Sequence, residues 1–71
     1  MVTVRDVGFT IEERFFLTAQ ELEYSEVGEE HESVIDRAIA LLYTKLRTRD
    51  FEFTDDEREL LEDAFVIVSD Q

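Results

Sequence analysis

Seventy-one residues with no cysteine, no proline and two glycines allow one small domain, near the lower size limit for an unassisted core. Disulfides and thiolate metal sites are excluded, which leaves self-association as the available reinforcement. Nineteen acidic against seven basic side chains, a net charge of −12, oppose any direct hold on nucleic acid or anionic membrane and favour a basic partner. A hydrophobic content of 44% is too high for a disordered acidic chain, so a fold is expected.

In chain order, residues 1–10 show no apolar run behind a basic start, and nowhere does the chain approach the roughly 18 apolar residues of a membrane span. A soluble, cytoplasmic protein is the expectation. Val2-Thr3-Val4 alternates and permits a short β segment.

A first helix is predicted from about residue 10 to 27. Thr10 and Glu13 form a capping-box pattern, in which the threonine oxygen takes a free amide and the glutamate reaches back. At 100° per residue Ile11, Phe15, Ala19 and Leu22 make one apolar stripe. Phe16, Leu17 and Tyr24 fall outside it, as a surplus apolar patch available to a partner or to a second copy. Gly28 stands where one helical pattern stops and another begins, a natural C-terminal cap.

A second helix is predicted from Glu29 or Ser33 to Arg47. Ile35, Ala38, Ile39, Leu42 and Leu46 form its main stripe, and Val34, Leu41 and Tyr43 widen the apolar arc to about half the circumference. Such an arc places this helix centrally, packed on both sides. Lys45, Arg47 and Arg49 form the chain's one basic cluster, with the arginines suited to the helix C-terminal dipole. His31, among Glu29, Glu30 and Glu32, reads as a solvated residue of the first turn rather than a metal ligand.

Phe51-Glu52-Phe53 alternates and permits a second β segment. A third helix follows, capped by Thr54 with Glu57. Leu60, Leu61, Ala64, Phe65 and Val68 line one face; Asp55, Asp56, Glu59, Glu62 and Asp63 line the other. The β-branched run 66–68 permits a third short strand. The expected architecture is therefore a mainly α, three-helix single domain spanning 1–71, with at most short β additions near 2–4, 51–53 and 66–68.

The chain also echoes itself. Residues 5–17, RDVGFTIEERFFL, align without gaps on 49–61, RDFEFTDDERELL, matching Arg, Asp, Phe, Thr, Glu, Arg and Leu. The economical reading is two equivalent loop-to-helix entries, because Thr-x-x-Glu is a helix-start signal. Duplication about the second helix is the alternative.

Chemistry is harder to find. Two isolated glycines build no phosphate loop, and Ser25, Ser33 and Ser69 lie in no nucleophile elbow. Carboxylates abound, but carboxylate catalysis needs a partly dry pocket that three short helices rarely enclose. No enzymatic activity, cofactor or metal is expected. Helix-turn-helix DNA binding is disfavoured because the exposed side of the third helix is acidic.

Three functional readings follow. The first is a non-catalytic acidic interaction module, in its sharpest form a viral or mobile-element inhibitor that mimics nucleic acid and blocks a basic partner. Its binding face would be Asp55, Asp56, Glu59, Glu62 and Asp63. The second is an assembly component, a virion part or adaptor, packing or homodimerising through Phe16, Leu17 and Tyr24. The third is a small halophile domain whose acidity keeps it soluble, consistent with six arginines against a single lysine, Lys45.

Overall fold

A computed structural model describes residues 10–70. They form three helices: α1 (Ile11–Tyr24), α2 (Glu29–Thr48) and α3 (Asp55–Ser69). Both outer helices pack along α2, the central element. The breadth of α2's apolar arc is the physical reason, since it carries hydrophobic side chains toward two neighbours at once.

The core is small and evenly shared. Phe15, Ala19 and Leu22 come from α1, Ile35, Ala38 and Leu42 from α2, and Leu61 and Ala64 from α3. Each helix contributes one fully buried alanine, Ala19, Ala38 or Ala64, which lets the backbones approach closely. Around this centre pack half-buried side chains, among them Val34, Ile39, Leu46, Leu60 and Ile67.

Helix entry and exit follow local chemistry. In both capping boxes the threonine oxygen accepts from the glutamate N–H, at 3.1 Å for Thr10–Glu13 and 3.2 Å for Thr54–Glu57. The glutamate carboxylate in turn accepts from the threonine N–H, at 2.8 and 2.9 Å. At the end of α2, Arg49 adopts a left-handed conformation (φ 57°), and the Asp50 N–H donates to the Lys45 carbonyl at 3.1 Å. That backbone shape turns the chain out of the helix into the connector 50–54.

Four expectations are corrected. Helix α1 stops at Tyr24 rather than near Val27, where the Ser25 N–H closes on the Leu22 carbonyl at 3.3 Å. Gly28 is the N-cap of α2 rather than a C-cap: its φ of −67° and ψ of 160° are extended, and no side chain caps the helix there. Ile11 is 49% exposed and Phe65 is 42% exposed, so neither joins the buried stripe. Neither testable β segment forms a strand: 51–53 is irregular connector, and 66–68 continues α3. There Ile67 and Val68 pack on the helical core, and tertiary burial overrides the β-branched preference. The proposed segment at 2–4 lies outside the described residues.

Candidate interaction surfaces

Three features stand out once the side chains are in place: an acidic face, an outer apolar strip and a buried lysine. On α3 the Thr54 box sets where the helix begins, and the helical period then turns five carboxylates outward. Asp55, Asp56, Glu59, Glu62 and Asp63 are all exposed, as the sequence pattern required. Neighbours three or four residues apart on such a face lie about 5–6 Å from each other. None of the five forms an ion pair with a described cation. Val66, four residues beyond Glu62 and 60% exposed, ends the same arc with an apolar side chain. Amphipathic patterning alone did not single it out.

The surplus apolar residues of α1 do not form one patch. Phe16 turns toward α2, where its ring meets Tyr43 edge-on with centroids 6.4 Å apart. Leu17 and Tyr24 lie on the outer side and border a shallow depression with Gln20, Glu21 and Ser25. Tyr24 is 79% exposed. A second depression shares Glu21 and Ser25 and continues to Phe65 and Val68 of α3. Tyr43, by contrast, is partly covered. Burial and the adjacent Glu23 carboxylate raise its pKa above that of an ordinary phenol.

The buried lysine was not apparent from sequence. Lys45 is only 7% exposed, so it does not join Arg47 and Arg49 in a surface cluster. Its position three residues after Leu42, on the stripe of Ile35 and Ala38, is the signal that could have revealed it. The ammonium donates to the Glu52 carbonyl at 2.6 Å. It also lies 3.1 Å from Glu57 Oε1 and 3.4 Å from Asp50 Oδ2. The Phe53 ring covers it, with Nζ 5.4 Å from the centroid. Burial alone would lower the Lys45 pKa, but Glu57 and Asp50 outweigh it and hold the group above its ordinary value. Glu57 is held below the usual carboxylate range, first by the Thr54 backbone N–H and then by Lys45.

This cluster secures the connector to the bundle. Phe53 stacks on Phe15 at 5.4 Å, and Phe51 meets the same ring edge-on at 5.1 Å. Arg49 pairs with Glu12 of α1. The arrangement is structural, with every donor of Lys45 directed at a protein oxygen or ring.

Among the described residues no three His, Asp or Glu side chains are arranged to hold a metal ion. His31 lies in the first turn of α2, 3.6 Å from the Glu30 carboxylate. No described helix is long and apolar enough to cross a membrane. No family model, curated protein or solved structure matches the chain.

Proposed function

We propose that the protein is a non-catalytic interaction module that occupies the basic surface of a partner through the acidic face of α3. The observation that supports this reading is the set of five exposed carboxylates, Asp55, Asp56, Glu59, Glu62 and Asp63, on one capped helix with no described cation paired to them. A rigid helical row of carboxylates offers a nucleic-acid-binding groove the charge it is built to receive. In its sharpest form the protein is an inhibitor encoded by a virus or mobile element, acting in the cytoplasm of the cell that harbours it.

The test is displacement. Labelled duplex DNA is bound to each of a panel of basic DNA-binding proteins from that cell, and the acidic protein is added. Displacement from at least one of them is expected, weakening steeply as salt is raised from low to moderate concentration. Combined Asp55→Asn, Glu59→Gln and Glu62→Gln substitutions should abolish it. Equal displacement by that variant, or none by the parent protein, sinks the reading.

A second reading rests on the outer strip of α1. Tyr24, 79% exposed, and Leu17 beside it suit a component that packs into an assembly or pairs with its own copy. Light scattering distinguishes the two. Here Leu17→Asp or Tyr24→Asp should disperse the complex while the α3 neutralisations leave it whole. The third reading, a salt-adapted surface, requires helical circular dichroism to be lost in dilute buffer and restored by molar KCl.

A further inference from the structure

On the α1–α2 side of the bundle an open groove of about 740 Å³ is lined by α1, α2 and the link between them. Leu22 and Ile35, both core residues, form its floor. Val27 and Ile39 are half-buried in its walls. Around this apolar strip stand Glu23, Glu26, Glu32 and Asp36, all exposed. Glu23 faces Tyr43. No described cation pairs with Glu26, Glu32 or Asp36; ion pairs between described residues lie at Glu30–His31, Glu12–Arg49 and around Lys45.

An apolar floor inside a ring of carboxylates has a definite complement, a hydrophobic side chain flanked by lysine or arginine. A second copy of this chain is a poor occupant, because each copy carries a net charge of −12 and acidic outer helix faces. A bare cation is equally poor, because the carboxylates form no ligand cluster. A groove between two helices accepts a third helix, whose side chains at i, i+3 and i+4 present the required alternation. We infer that this groove docks a basic amphipathic helix of a partner protein, with an apolar residue over Ile35 and Ile39 and cationic residues against Glu26, Glu32 and Asp36. The site is separate from the acidic face of α3 and sets its apolar residues in a groove between two helices rather than on an open helix face.

The probe is a synthetic helix of leucines and lysines at i, i+3, i+4, i+7 spacing, titrated into the ¹⁵N-labelled protein at about 150 mM salt, where surface charge is screened beyond about 8 Å. Saturable shifts centred on Val27, Ile35, Ile39 and Ala40 are expected, with affinity at least tenfold above that of oligolysine of equal charge. Glu32→Lys combined with Asp36→Lys should weaken binding at least tenfold. The charge-matched pair Glu59→Lys and Glu62→Lys on α3 should weaken it less than threefold, through the long-range field alone. The inference is overturned if shifts spread over the whole acidic surface or centre on α3, if both double variants lose affinity equally, or if no saturable binding occurs. Because DNA displacement is read on α3, that function can fail while the groove holds, and the reverse.

Discussion

The helix entries at Thr10 and Thr54 use the same local device and reach different depths in the molecule. Their capping boxes match to within about a tenth of an ångström in each hydrogen bond. Glu13 is nevertheless exposed, and among the described residues it bonds within its own box, whereas Glu57 also holds the buried ammonium of Lys45. Phe53, just before the second box, stacks on Phe15; its counterpart Phe9 lies outside the described residues. A capping box specifies where a helix starts, because its hydrogen bonds span four residues. What lies opposite that start is decided by another helix, and here the residue opposite is Lys45.

The largest effect should come from the shared aromatic contact. Phe15→Ala removes the ring on which Phe51 and Phe53 rest and should cost about 3–4 kcal/mol in urea unfolding, a large share of what a domain this small holds. A cost below about 1 kcal/mol would show that the second entry does not depend on α1. Next is Lys45→Met, which keeps the aliphatic stem but orphans the Glu52 carbonyl and Glu57. It should lower Tm by roughly 10 °C, since breaking a buried pair leaves its partner uncompensated. An unchanged Tm would mean that the clamp contributes nothing.

Replacing the two box glutamates tests the comparison itself. Glutamine can still accept the threonine N–H, so Glu13→Gln should leave Tm nearly unchanged while Glu57→Gln lowers it by several degrees. The difference should depend on pH. Glu57 is depressed in the folded state, so its contribution is present above the ordinary carboxylate pKa and is lost as pH falls through the lower folded value. Lys45 is raised, so its contribution is full below the ordinary lysine pKa and fades only as pH climbs through the higher folded value. Parent and Glu57→Gln should therefore differ most between about pH 5 and 10 and converge in acid. An offset that persisted unchanged into acid, below the carboxylate range, would place the effect elsewhere.

The smallest effect concerns the remaining helix entry, which has no box. Gly28 has the extended backbone of an N-cap but no side chain to use it. The nearest atoms an added Cβ would meet belong to the flexible end of Glu30, 2.7 Å away, which can move aside. Gly28→Ser should stabilise the protein by about 0.5–1 kcal/mol, through a cap hydrogen bond and a less mobile unfolded chain. A loss of stability would show that the link between α1 and α2 needs glycine.

Much of the fold was legible in particular residues. Thr10, Thr54 and their partner glutamates marked two helix starts, and the stripe from Ile35 to Leu46 identified the central helix. The acidic arc of α3 was equally readable, because exposure there follows from helical period once the apolar side is buried. Gly28 and the run 66–68 misled for two physical reasons: a glycine fits an N-cap as well as a C-cap, and β-branched residues stay helical where the core covers them.

Taken alone, the sequence determined what depends on neighbours within about four residues: three helix positions, the two capped starts and which side of α3 is charged. Tertiary structure decided what depends on residues brought from afar. It separated Phe16 from Leu17 and Tyr24 by placing Tyr43 beside one of them, and it left Ile11 and Phe65 half in solvent. It ringed an apolar groove with acids from two helices and their link. Above all it turned the single lysine inward, because only a folded chain gathers Glu52, Glu57, Asp50 and Phe53 around one ammonium and so offsets the cost of burying it.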